Sequence, residues 1–129
     1  MFFNKLSKVS LLVLVLLVSS LFSAVISTTS GKINAQVISI DKSGVVIKAR
    51  LGTTVLKPAD VKWILFDESR TDLEGKEGIL LSNGLWIYGE PNQITTAGGT
   101  ILGPYVSITT NLDNIVYFSF SKNTYIENL

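Results

Sequence analysis

The stretch INAQVISI-DKSG-VVIKARL, Ile33 to Leu51, decides the fold class. Ile33 to Ile40 is rich in β-branched residues, which suit a pleated strand. Asp41-Lys42-Ser43-Gly44 supplies turn chemistry, with Gly44 free to take positive φ. In the segment that follows, Val45, Ile47, Ala49 and Leu51 share one face and Lys48 and Arg50 take the other. Alternation with period two, broken by a glycine turn, predicts a β-hairpin.

Working toward the C terminus, the same grammar repeats. Gly52 to Asp60 reads as a connection carrying Lys57-Pro58. Val61 to Phe66 (VKWILF) is apolar on both faces and predicts an inner strand. Asp67 to Gly78 (DESRTDLEGKEG) is a charged loop. Ile79-Leu80-Leu81 and Leu85-Trp86-Ile87-Tyr88 flank Ser82-Asn83-Gly84, a strong hairpin signal. Gly89 to Gly99 reads as a further loop, Thr100 to Leu102 and Tyr105 to Thr110 as strands around Gly103-Pro104, and Ile115 to Ser121 as the last strand, with Val116, Phe118 and Phe120 on one face. About seven short strands at this spacing predict a sandwich or barrel, read here as an antiparallel β-sandwich over residues 33–129 with no internal repeat. Val46 or Ile47, Trp63 or Ile64, Ile108 and Phe118 are the expected contributors to one core.

Working toward the N terminus, the character changes. Val9 to Gly31 carries no charge and follows Lys5 and Lys8. That order is an export signal or a membrane anchor. Val9 to Ile26 would make a helix of about 27 Å at ~1.5 Å per residue, near the lower end of a bilayer span. The expected organisation is therefore a basic leader at 1–8, a hydrophobic signal, anchor or assembly helix at 9–27, a hinge at 28–32 and the β domain beyond. Lys5 and Lys8 would hold the N terminus in the cytoplasm. Leu21-Phe22-Ser23 and Val25-Ile26-Ser27 are the small-residue cleavage sites on offer. On a helix, Ser19, Ser23 and Ser27 form one ridge of small side chains, and Ser20, Ala24 and Thr28 form the next. Such ridges let helices approach closely in lipid, which makes Ser19, Ser20, Ser23, Ala24 and Ser27 candidate association residues. The linker composition of 27–31 implies that residues 32–129 fold without the leader.

Composition excludes several functions. The chain of 129 residues has no cysteine and no histidine. No disulfide can staple it, and the commonest general base and metal ligand are both absent. Net charge is +1 and no basic cluster occurs, which argues against nucleic acid. Asp67, Glu68, Asp72, Glu74 and Glu77 crowd one loop, but Arg70 and Lys76 interrupt it and the calcium-loop pattern is missing, so it reads as solvated. Trp63, Trp86, Tyr88, Tyr105 and Tyr117 could form a binding platform, though single aromatics on strands more often pack across the sheet. No catalytic residue, metal site, cofactor or small-molecule substrate is expected.

The layout of Met1 to Lys8, then Val9 to Ile26, then Ile33 to Leu129, with YVSITTNLDNIVYFSF at Tyr105 to Phe120, resembles an archaeal type IV pilin. The resemblance is one of architecture. Each leader lysine is separated from the following serine by one residue, Lys8-Val9-Ser10 and Lys5-Leu6-Ser7, unlike the family's basic-then-small pattern. It implies a cell-surface filament subunit with the helix in the filament core and the β domain outside. The alternative is a membrane-anchored or secreted binding domain of a cell-envelope complex. Both place the domain outside the cell, with the membrane contact through residues 9–27 and with copies of itself or envelope proteins as partners.

Overall fold

The computed structural model describes residues 23–50 and 52–120. Eleven strands run in chain order: β1 (Ser23–Thr28), β2 (Gly31–Asp41), β3 (Gly44–Ala49), β4 (Gly52–Leu56), β5 (Val61–Leu65), β6 (Ile79–Leu81), β7 (Trp86–Ile87), β8 (Glu90–Thr95), β9 (Gly98–Leu102), β10 (Ser107–Thr109) and β11 (Ile115–Phe118). The only helical turns among the described residues are three short 3-10 turns, at Pro58–Asp60, Thr71–Leu73 and Leu112–Asn114.

All strands belong to one antiparallel sheet. β1 lies between β2 and β5, β11 between β5 and β6, and β6 carries β7. Two residues beyond β7 the chain enters β8, which returns to β2 through the pair Ile40 and Ile94. The sheet therefore curls until its pairings come round on themselves, with the hairpins β3–β4 and β9–β10 as flaps. Inside the curl, Ile26, Ile40, Ile47, Ile64, Ile79 and Phe118 are among the fully buried side chains.

Three expectations are corrected. Over the described residues the fold is a single curled sheet of eleven strands, not a sandwich of about seven, and the part of the expected helix before Ser23 lies outside them. The segment read as the end of a helix is β1, and the segment read as a hinge is its hairpin turn. Ser23, Ala24 and Ser27 thus stand on a strand, while Ser19, Ser20, Lys5 and Lys8 lie outside the described residues. The local reason is visible in the sequence Ser-Ala-Val-Ile-Ser-Thr. Its β-branched residues favour a pleated strand, and Ala24 and Ile26 bury inward while the backbone bonds to β2 on one side and β5 on the other. The turn is closed by the Thr28 hydroxyl donating to the Gly31 carbonyl (2.7 Å). Finally, Gly52–Leu56 and Glu90–Thr95, read as loop, are strands.

A further correction concerns repeats, because the described residues form two copies of one unit. Residues 31–66 correspond to residues 54 positions later, and residues 23–29 to residues 53 positions later, the hairpin turn of the second copy being one residue longer. β3–β4 and β9–β10 have equivalent registers, Ile47 facing Thr54 as Ile101 faces Ile108. The bulge in β1 against β5, between Ser27 and Thr28, recurs in β6 against β11. The 3-10 turns at Pro58–Asp60 and Leu112–Asn114 coincide, including the bonds from Asp60 N–H to Lys57 O and from Asn114 N–H to Asn111 O. Even the bond from Thr29 N–H to Asp60 O has its counterpart in Ser82 N–H to Asn114 O.

The two copies meet about a pseudo-twofold axis. Ile40 pairs with its own equivalent, Ile94, and Ile64 pairs with its own equivalent, Phe118. In an antiparallel pair only residues on the axis can do this. The axis therefore passes through the curled sheet at these two points, with residues 67–75 as the connection between the copies.

Candidate functional site

β5 and β11 carry apolar residues on both faces, so the outer face of the sheet needs its own cover. There Trp63, Leu65, Leu73 and Tyr117 form a second buried cluster, with Val25, Leu80, Trp86 and Val116 packed around it. Trp86 stacks on Tyr117 with ring centroids 6.2 Å apart, and Trp63 lies 6.3 Å from Tyr117 on its other side. Trp63 and Tyr117 occupy equivalent positions in the two copies. So do Lys32 and Trp86: the Lys32 ammonium sits 5.3 Å from the Trp63 ring centroid, and the Trp86 ring takes the corresponding place over Tyr117. Both arrangements are favourable, one by cation–π attraction and one by ring stacking.

The charged loop closes over this cluster. Leu73 is buried beneath it, and the Tyr117 hydroxyl donates to the Lys76 carbonyl at 2.6 Å. Burial pushes the Tyr117 phenol up to about 12, because the phenolate would be desolvated. The loop acids are engaged locally. Asp67 accepts from the Ser69 hydroxyl (2.6 Å) and Ser69 N–H (3.0 Å), which hold its carboxyl below the usual range. Asp72 takes both its oxygens to Arg70 (3.0 and 3.1 Å), and that contact lowers it. Glu74 reaches Lys32 at 3.4 Å. Among the described residues no group of three or more acidic side chains converges as a metal site would require.

Beside Trp63, a cleft of about 630 Å³ opens between the 3-10 turn at Pro58, the β5 bulge at Lys62, the loop at Lys76 and Glu77, and Phe120. It offers cations and an apolar floor. Its buried hydroxyl, Ser119, donates to the Phe120 carbonyl (3.4 Å), and Glu77 lines the same cleft. This arrangement can hold a ligand.

The five aromatics read as a possible platform separate into two groups. Trp63 and Tyr117 are buried and Trp86 half-buried in the outer cluster, whereas Tyr88 and Tyr105 are exposed. Tyr105 stands at the tip of the β9–β10 hairpin with Leu102 and Val106, and is 85% exposed. Of the proposed association residues, Ala24 and Ser27 are buried within the sheet and cannot form a surface ridge. Sequence reasoning missed the asymmetry of charge between the two copies. Residues 23–66 hold Lys32, Lys42, Lys48, Arg50, Lys57 and Lys62 against Asp41 and Asp60, a net of +4. Residues 76–120, the second copy, hold Lys76 against Glu77, Glu90 and Asp113, a net of −2, and the connection at 67–75 adds Arg70 against Asp67, Glu68, Asp72 and Glu74, a net of −3. The signal lies in the order of charges and takes its meaning from the equivalence of the two copies. No family model matches the chain, and neither a curated protein nor a solved structure is detectably similar to it.

Proposed function

We propose that the chain is an exported, non-catalytic structural subunit that acts outside the cell by associating with copies of itself. The observation that carries this reading is the opposite charge of two halves built on equivalent frames. Surfaces of opposite sign on one molecule favour head-to-tail encounter between copies.

The boundary of the fold also bears on export. With Ser23–Thr28 taken by β1, the uncharged run left in the leader is Val9–Phe22, 14 residues. That suits the apolar core of a signal peptide, about 7–15 residues, and falls short of the ~17 needed to span a bilayer as a helix. Among the described residues no helix is long and apolar enough to cross a membrane. The reading therefore favours removal of the leader at Leu21-Phe22-Ser23. Cleavage after Ser27 would remove a strand paired on both edges.

Two measurements test this on protein recovered from cells expressing the full chain. N-terminal sequencing should find a start at or within two residues of Ser23; a start at Thr28 would overturn the placement of the fold boundary. Sedimentation should show association that weakens as salt rises, because exposed charges are screened over about 10 Å at 0.1 M. A monomer at every concentration and salt would refute the structural reading and leave the cleft beside Trp63, as a binding site for an envelope partner, the better one.

A further inference from the structure

The duplication gives each exposed position an internal control. Where both copies carry the same chemistry, the fold accounts for it. Where they differ, the fold does not require the residue. The hairpin flaps differ most. Lys48 corresponds to Leu102, Arg50 to Pro104 and Lys57 to Asn111. From Pro91 to Leu112 the second copy has no charged residue at all, and Leu102, Tyr105 and Val106 are 42%, 85% and 62% exposed. The equivalent stretch in the first copy remains folded with five charges, Asp41, Lys42, Lys48, Arg50 and Lys57.

The flaps also end the sheet. Among the described residues β4 pairs only with β3, and β10 only with β9. Edge strands are ordinarily guarded by lysine, proline, an edge-strand bulge or very short length, and only the last applies here, to the three residues of β10. Neither Gly52–Leu56 nor Ser107–Thr109 contains a charge or a proline, and neither β3–β4 nor β9–β10 has a register shift. Val55, on β4, is 61% exposed. Each edge presents backbone donors and acceptors suited to an added strand.

We propose that the two edges are the two ends of one assembly contact, with the β10 edge of one copy adding to the β4 edge of the next. The occupant is a second copy because it brings both requirements: an open strand edge, and a net charge opposite to the copy it meets. β4 lies in the copy of net +4 and β10 in the copy of net −2. The pseudo-twofold axis places the edges on opposite halves of the molecule, so each addition leaves one edge of each kind free. Such a contact is heterologous and builds an open chain of subunits, not a closed dimer. The inference rests on the self-association proposed above and specifies its surfaces.

The chain contains no cysteine, so single cysteines report cleanly. Val55→Cys marks β4 and Ser107→Cys marks β10, both at exposed positions. With a flexible bismaleimide, an equimolar mixture of the two variants at low salt should give several-fold more cross-linked dimer than either variant alone, and high salt should reduce the yield. Equal cross-linking by each variant alone would overturn the head-to-tail contact in favour of a symmetric one. Protein that sediments as an oligomer yet gives no cross-link from either edge would refute the strand-edge contact while leaving self-association standing. Protein that sediments only as a monomer would refute both.

Discussion

Exchanging Ile64 and Phe118 tests the pseudo-twofold axis directly. Both side chains are fully buried, they face each other across β5 and β11, and each occupies the other's position in the second copy. Phe118 packs edge-on against Phe120 at 4.8 Å, and Phe66 stands at the position equivalent to Phe120, beyond Ile64. Ile64→Phe alone puts two phenylalanines on the axis, and overpacking of this kind costs about 1–3 kcal/mol. Phe118→Ile alone leaves a partial void costing about 1–2 kcal/mol, the part of a ~3–5 kcal/mol Phe→Ala loss that isoleucine does not refill. Independent effects would sum to about 2–5 kcal/mol. The double exchange conserves volume and turns the pair about its own axis, so its loss should stay below about 1.5 kcal/mol. The assay is urea denaturation of the four proteins, with unchanged slopes confirming that the midpoints report stability. A double variant as unstable as the sum of the singles would refute the equivalence of the two sites.

Other outcomes follow from particular contacts. A chain beginning at Lys32 lacks β1 and should give a disordered far-UV circular dichroism spectrum, whereas one beginning at Ser23 should give a β spectrum; a folded Lys32 fragment would show that β1 is dispensable. Tyr117→Phe removes the bond to the Lys76 carbonyl and should cost about 1 kcal/mol. Because folding raises the Tyr117 phenol from 10.0 to about 12, its contribution to stability is complete below pH 10 and lost as pH climbs through about 12. A spectrophotometric titration should show a late tyrosine ionisation that disappears in Tyr117→Phe. Asp41 accepts from Gln93 N–H (3.0 Å), a bond between the two copies that, with the Ser43 hydroxyl, holds the carboxyl below 3.8. That lowered value stabilises the fold above pH 3.8 and the gain is lost as pH falls through it, so Asp41→Asn should flatten the acid limb of a stability–pH curve measured in urea.

Much of the fold was legible because hairpins announce themselves locally. The turns at Asp41–Gly44 and Ser82–Gly84, the inner position of Val61–Phe66 and the burial of Ile47, Ile64 and Phe118 all follow from alternation and turn chemistry. Ile108 packs on the core only partly buried, and Trp63 belongs to the outer cluster. The last strand was misread because the bulge between Ile115 and Tyr117 breaks its alternation: Val116 belongs to the outer cluster while Phe118 and Phe120 face inward. β1 was hidden because apolar, β-branched residues follow directly on the leader, and a run of that kind does not reveal its period. β4 and β8 were hidden because a Thr-rich strand with one open edge and a polar strand carrying Pro91, Asn92 and Gln93 look like loops. The duplication was hidden for a related reason. Identity survives only at places such as Ile40 and Ile94, Gly44 and Gly98, Ile47 and Ile101, and Phe66 and Phe120, where the axis, a positive φ or the core fixes the residue.

The charged loop shows how composition can point away from function. Five of the ten acidic residues lie between Asp67 and Glu77, which is the density expected of a cation site. In the fold residues 67–75 of this segment are the connection between the two copies and must cross the outer face of β5 and β11, where Trp63, Leu65 and Tyr117 would otherwise meet water. Leu73 supplies the cover, and the charges around it are turned to local use: Asp67 caps Ser69, Arg70 ties to Asp72, and Glu74 reaches Lys32, itself over Trp63. Exposed pairs of this kind contribute little to stability, because solvent screens them. Their role is to keep a hydrophobic lid soluble on its outer side and fixed in register. Only one connection exists between two copies, so only one such lid is needed here, and it adds a net charge of −3 to a chain whose second copy already lacks lysine and arginine in its strands. A loop whose immediate task is burial thereby adds to the charge polarity on which assembly would depend.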